Sequence, residues 1–272
     1  MVNFGLANPI KDKGVENWQE RTALLVGEEA LETFAKATVA VVGLGGVGAY
    51  AAEMLARAGV GRIIAVDSDT VGDTNRNRQL LALKSTVGRP KTEVLAERLK
   101  DINPSIEVIQ INEYVTPENV GRLLGGIAVE GQTDGDDQPG LTRIDFLVDA
   151  IDTLAPKLAL INYCVTSGIP LVSSMGSGAK YDLTKVRITD ISKSFNCPLA
   201  YMVRKRLRRE YGISKGFKAV FSEELPIGEA IVKEEGRNKK SNVGTISYLP
   251  AVFGCACAQT AIAHLRENHV VL

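Results

Sequence analysis

The sequence predicts an α/β protein built on a mostly parallel, doubly wound sheet. Three observations predict it. Short apolar runs rich in β-branched residues alternate with helical segments, a glycine-rich turn joins the first run to its helix, and aspartates follow the carboxyl ends of several runs. In order, residues 18–35 read as an amphipathic helical arm, part of an N-terminal arm over 1–36. ATVAVV at 37–42 is a buried strand, GLGGVG at 43–48 a tight turn, and AYAAEMLARAG at 49–59 a helix with Gly59 at its C-cap. RIIAVD at 62–67 is the next strand. Helices are predicted over 91–100, 118–124 and 156–167, with strands over 107–111, 145–148 and 170–173, completing a Rossmann-like core at 37–176. Within it, 125–141 (GGIAVEGQTDGDDQPGL) is polar, acidic and without periodicity, and is expected to be a mobile surface insertion.

Beyond the core the pattern loosens. Strands at 186–189 and 219–222 lie around a helix at 199–211, which suits a substrate-binding extension over 177–272, ended by a helix from near Pro250. All 272 residues read as a single domain. The uncharged stretch 245–263 approaches bilayer length, but Ser247, Pro250, Gln259 and Thr260 interrupt it, so a buried helix and no stable membrane association are expected.

Thirty-two basic residues balance 32 acidic ones, so no global field draws the chain to nucleic acid, and any such contact must be local. One local excess exists: residues 180–218 hold eleven Lys or Arg against three Asp or Glu. There Leu199, Val203, Leu207 and Tyr211 recur on one helix face while Arg204, Lys205, Arg208 and Arg209 point elsewhere, as a phosphate-binding stripe or an ordinary solvated face would. The cysteines are Cys164, Cys197, Cys255 and Cys257, with no CxxC pair to hold zinc. With no signal peptide visible, a reducing cytoplasm is expected. Cys164, Cys255 and Cys257 fall in apolar patterns and are expected to be buried, leaving Cys197 as the candidate reactive thiol.

The glycine turn carries the first chemistry. Gly43, Gly45 and Gly48 match G-x-G-x-x-G between a strand and a helix, where bare backbone can approach phosphate. Asp67 ends the next strand, where a carboxylate meets a ribose hydroxyl. Taken this far, the pattern fits a dinucleotide-linked oxidoreductase equally well. The segments around and after Asp67 shift the balance away from it: VDSDTV at 66–71, NRNRQ at 75–79 and VGRPK at 87–91 bring Arg78 and Lys91, cations suited to a triphosphate with a departing pyrophosphate. Asp152, in DAID beyond the strand IDFLVDA, lies where an open sheet places ligands and can hold Mg²⁺, cap the next helix, or both.

In that order and spacing, GLGGVG, VDSDTV, NRNRQ, VGRPK and DAID resemble the ubiquitin-activating-enzyme-like adenylating enzymes, which include the thiamine and molybdopterin sulfur-carrier activators. Within that superfamily, SSMGSG at 173–178, ITD at 188–190, PL at 198–199 with RKRLRR at 204–209, VFSEE at 220–224 and SYLPAVFG at 247–254 resemble the tRNA threonylcarbamoyladenosine dehydratases. The resemblance implies ATP and Mg²⁺ as cofactors, with Gly43, Gly45, Gly46, Gly48, Asp67, Asp69, Asn75 and Gln79 around the nucleotide. It implies that Arg78 and Lys91 hold the phosphates and Asp152 the metal. It also makes Arg21, in WQERTALLVG, an arginine lent across a homodimer. The implied substrate is tRNA carrying threonylcarbamoyladenosine, bound at Arg204, Lys205, Arg208 and Arg209. A sulfur-transfer-type protein partner stays open. The implied reaction is carboxyl adenylation followed by ring closure, with the nucleophile supplied by the substrate. Two departures stand out, Cys197 before Pro198 where the family often has an acidic residue, and the 125–141 insertion. The alternative is an activator of a ubiquitin-like or sulfur-carrier protein, in which Cys197 would form a thioester.

Overall fold

The structure is a computed structural model that describes residues 16–125, 128–134, 138–141, 143–233 and 241–267. The helical arm is two helices, α1 (Glu20–Val26) and α2 (Glu28–Lys36). Gly27, at φ 88°, breaks it, since a left-handed φ cannot continue a right-handed helix. Then come β1 (Thr38–Val42), α3 (Gly48–Ala58), β2 (Arg62–Val66), α4 (Lys91–Ile102), β3 (Glu107–Ile111) and α5 (Val120–Gly125). The 125–141 segment contains β4 (Ala128–Asp134) and β5 (Gln138–Leu141), an antiparallel pair.

The rest of the core is β6 (Phe146–Asp149), α6 (Leu154–Thr166) and β7 (Leu171–Ser174), and the extension carries β8 (Val186–Asp190), α7 (Pro198–Tyr211), β9 (Lys218–Ser222), β10 (Ile231–Lys233), β11 (Ser241–Val243) and α8 (Tyr248–Glu267). The seven-stranded sheet has the order β3-β2-β1-β6-β7-β9-β8, and β8 alone runs antiparallel, at an edge. Alternation along β1 sends Val39 and Val41 into the core layer shared with α3 and α8, and Ala40 and Val42 into the layer shared with α6 and α7. The chain leaves β1 toward β2 and β3, then returns to β6 on its other side. The carboxyl ends of β1 and β6 therefore open a crevice at the switch of direction.

α8 is long and apolar enough to cross a membrane by length and composition. Here Leu249, Phe253, Cys257, Ala261 and Leu265 are buried in the core beside α3. Its approach is close, since a Cβ on Gly254 would lie 2.5 Å from Val47 O.

Candidate functional site

A cleft of about 740 Å³ opens at that crevice and gathers Gly43, Gly45, Asp67, Asp69, Asn75, Arg78, Gln79, Lys91 and Asp152. The glycine turn forms its floor. Gly43 adopts φ 90°, and a Cβ there would meet Ala150 C and O at 2.9 Å, so two backbone turns touch directly. Gly46 and Gly48, expected at the nucleotide, do not line the cleft. A Cβ on Gly48 would fall 1.7 Å from Gly43 O, and one on Gly46 3.0 Å from Pro250 Cβ. These two glycines fold the turn, and Gly45 faces the open space, where the nearest neighbour of a Cβ would be Gln79 Nε2 at 3.7 Å.

Asp67 sits just past β2 and is held from two sides. Leu44 N–H donates to its Oδ2 at 2.6 Å and Asp69 N–H to its Oδ1 at 2.8 Å. Burial raises its pKa above the ordinary aspartate value, against the lowering effect of Lys91 and these backbone donors. Lys91 opens α4 and is buried, its Nζ 2.8 Å from Asp69 Oδ2 and 3.8 Å from Asp67 Oδ2. Asp69 is thus the counter-ion of Lys91 in this state. Across the cleft, Asn75 Oδ1 accepts from Gly72 N–H at 3.0 Å, tightening the turn that carries Arg78. The half-buried Arg78 guanidinium donates to Thr74 O and Asn77 Oδ1 at the mouth.

Asp152 is exposed and makes no hydrogen bond or ion pair among the described residues. It is not a helix cap, because Thr153 occupies the N-cap of α6. Among the described residues no group of three or more His, Cys, Asp or Glu could hold a metal ion by itself. A lone exposed carboxylate facing a triphosphate-sized cleft fits Mg²⁺, which takes one or two carboxylates and fills its shell with phosphate oxygens and water.

Arg21 lies exposed on α1 and does not line the cleft of its own chain. On α7 the buried face is Ala200, Val203 and Leu207, while Leu199 is half-buried and Tyr211 exposed. A strict four-residue repeat overshoots the helical period of 3.6, so its ends drift off the buried face. Arg204 is also turned inward, hydrogen-bonded to Ser194 Oγ, and Arg209 shares Glu210 with Arg206. Lys205 and Arg208 remain exposed. Lys180, counted in the basic excess, is buried and donates to Ser222 O at 2.9 Å, and burial lowers its pKa. The cysteines correct two expectations: Cys197 is buried, its Sγ accepting from Ala200 N–H, and Cys255 is exposed. Burial pushes the Cys164 thiol up to about 12.

Glu113, Tyr114, Val115 and Asn242 line the cleft but escaped the sequence reading. Glu113 and Tyr114 follow β3, where the same rule that located Asp67 applies. Asn242 comes from β11 in the extension, and no local signal marks it. Asn77 Nδ2 donates to Thr245 O at 3.1 Å and ties that segment to the turn bearing Arg78. Lys157 on α6 was also missed. It is fully buried with Asp149 and Ser173 beneath the Asp152 turn.

Comparison with known proteins agrees with this architecture. The chain is 42% identical over 271 residues to the tRNA threonylcarbamoyladenosine dehydratase of Escherichia coli, covering 92% of this chain and 95% of that protein. It is 44% identical over 213 residues to the enzyme of the same name from Bacillus subtilis, covering 75% and 77% respectively. The crystal structure of the E. coli dehydratase in complex with ATP superimposes with a TM-score of 0.81 at 36% identity, covering 94% of this chain and 98% of that one. The ThiF family profile matches residues 19–270, almost the whole described chain, and with a cleft of this construction at the switch point the chain belongs to the ThiF family.

Proposed function

We propose that this protein is an ATP-dependent tRNA threonylcarbamoyladenosine dehydratase working in the cytoplasm. The observation that carries the reading is the single cleft that brings Gly45, Arg78, Lys91 and Asp152 around one triphosphate-sized space. A relative of near-equal length bears that activity in its name and was crystallised with ATP.

The threonyl carboxylate oxygen attacks the α-phosphorus, and the bond to the bridging oxygen of pyrophosphate breaks. Arg78 and Lys91 take up the charge that collects on the departing phosphates. Asp152 would hold the Mg²⁺ ion, which supplies further charge neutralisation on the phosphate oxygens. Asp67 orients the ribose through its hydroxyls, and Gly45 lets the backbone close on the phosphates. A ureido nitrogen of the substrate then attacks the acyl carbon, AMP leaves with the former carboxylate oxygen, and the nitrogen's proton passes to solvent. No cysteine is among the described residues lining the cleft, which suits a reaction whose nucleophile is the substrate's own. It also disfavours the thioester chemistry of a ubiquitin-like activator.

The test is incubation with ATP, Mg²⁺ and threonylcarbamoyl-modified tRNA, followed by nucleoside mass spectrometry. A modified adenosine lighter by one water, formed together with AMP, is the expected result. Unchanged nucleoside beside good ATP binding overturns the reading.

A homodimer that exchanges Arg21 completes the proposal. Leu24 and Leu25, 71% and 82% exposed on the same short helix as Arg21, give that helix an apolar surface for a second copy. Arg21→Ala and Asp152→Ala proteins, each inactive alone, would on mixing regain about one quarter of wild-type activity, because half the dimers would carry one complete site. No regain would place Arg21 outside the partner's site.

A further inference from the structure

The carboxylate of Asp149, at the end of β6, is buried with the ammonium of Lys157 from α6, and both side chains are 0% exposed. Lys157 Nζ donates to Asp149 Oδ2 at 2.6 Å and to Ser173 Oγ on β7 at 3.1 Å, and Ser173 Oγ donates to Asp149 Oδ2 at 2.5 Å. Three elements are thereby fastened at one point under the cleft. The other oxygen of Asp149, Oδ1, accepts from Ile151 N–H at 3.1 Å. That bond closes the turn whose next residue is Asp152. From its other side the turn is held by Ala150 N–H donating to Val42 O at 2.9 Å, and it lies in backbone contact with Gly43.

An ion pair taken wholly out of water is a costly way to join a helix to two strands, since well-packed apolar residues of similar size do so at least as well. What an apolar cluster cannot do is present an acceptor to Ile151 N–H at a fixed position. The geometry points to Lys157 and Ser173 as positioning residues for the metal. They hold the Asp149 carboxylate in place, Asp149 sets the 149–152 turn, and the turn fixes the Asp152 carboxylate at the cleft, where it would hold Mg²⁺. The inference rests on the reading of Asp152 as the metal-holding residue. It assigns a binding function to a buried pair that touches neither nucleotide nor tRNA.

The test reads metal dependence, which a merely structural pair would not move. ATP affinity is measured by calorimetry across a Mg²⁺ titration for the wild type, for the charge-free double variant Lys157→Met with Asp149→Asn, and for the milder Ser173→Ala. Removing both charges together avoids leaving one of them buried alone, so the double variant is expected to fold. Metal-free ATP affinity stays within about threefold of wild type, while the Mg²⁺ concentration for half-maximal effect rises about tenfold or more, as for other residues that orient a metal ligand. Ser173→Ala moves it in the same direction by a smaller factor, and decides the matter if the double variant does not fold. Wild-type Mg²⁺ dependence in a folded variant overturns the proposal. Asp152→Ala in the same titration separates the two ideas. If it shifts and the positioning variants do not, only this inference fails; if Asp152→Ala does not shift either, the metal assignment falls and takes this inference with it.

Discussion

Lys91 Nζ stands 2.8 Å from Asp69 Oδ2, with the lysine side chain 5% exposed and the aspartate 67% exposed. A buried cation is thus neutralised by a carboxylate that water can draw away, an arrangement in which an arriving phosphate can replace the carboxylate. Lys91→Met removes that cation and leaves Asp67 and Asp69 facing the phosphates. Loss of a charge-assisted hydrogen bond costs about 1.5–3 kcal/mol. ATP affinity should accordingly fall roughly ten- to a hundredfold. Asp69→Asn frees the lysine and should leave ATP binding at least as tight. Calorimetry on both variants checks the pair, and equal weakening in the two would make Asp69 a nucleotide ligand instead.

Asp152→Ala should abolish dehydration of the modified nucleoside without unfolding the protein. The side chain is exposed and makes no bond to the described residues, so its removal should change stability by no more than about 0.5 kcal/mol. Thermal unfolding measured beside nucleoside mass spectrometry checks both halves. Full turnover in the variant would remove the carboxylate from the mechanism.

Gly45 and Gly48 separate binding from folding within one motif. A methyl group on Gly48 would overlap Gly43 O, at 1.7 Å, so Gly48→Ala must displace the turn and should destabilise the protein by several kcal/mol. A methyl group on Gly45 meets only Gln79 Nε2 at 3.7 Å, so Gly45→Ala should fold normally and lose ATP affinity by intruding where phosphate lies. Unfolding curves and nucleotide titrations of the two variants should show opposite profiles.

The contrast also marks how far the sequence could be read. The G-x-G-x-x-G spacing located the turn, because that turn needs its glycines whatever the tertiary context. Which glycine faces the cleft depends on Pro250 and Gly43 packing against the others, a long-range fact. Asp67, Arg78, Lys91 and Asp152 were legible because each lies within a few residues of a recognisable strand or helix end. Asn242 was not, since its place in the cleft depends on β11 returning from the extension. Arg204 was misread because its inward turn depends on Ser194, which sits on another segment. The break at Gly27 was in the sequence, but an isolated glycine in an amphipathic pattern does not announce its φ.

The raised pKa of Asp67 has opposite effects on folding and on binding. Burial places its folded value above 3.8, so the native state holds this proton more tightly than the unfolded chain. Its contribution to stability is therefore most favourable below 3.8 and declines as pH rises through the folded value. In the proposed role of Asp67, however, it is the ionised carboxylate that accepts from a ribose hydroxyl. ATP affinity should weaken as pH falls through that window, starting at higher pH than an ordinary aspartate of about 3.9 would allow. Titrating ATP binding against pH in the wild type and in Asp67→Asn checks this, because the acid limb should disappear in the variant.

On α7, the partners that each basic residue already has, and not its charge alone, rank the proposed tRNA contacts. Arg204 is bound to Ser194, and Arg206 and Arg209 share Glu210, so moving any of them toward phosphate breaks a bond already made. Arg208 carries no such cost, and Lys205 gives up only a cation–π contact, its ammonium 6.0 Å from the Tyr201 ring centre. Lys205→Ala with Arg208→Ala should raise the KM for modified tRNA, leave ATP affinity unchanged, and lower the salt dependence of tRNA binding by about one unit of log slope per lost phosphate contact. Arg204→Ala should act first on stability, by freeing Ser194 and leaving a half-buried gap. If the double variant bound tRNA with the wild-type salt slope, the RNA would have to cross another face of the extension.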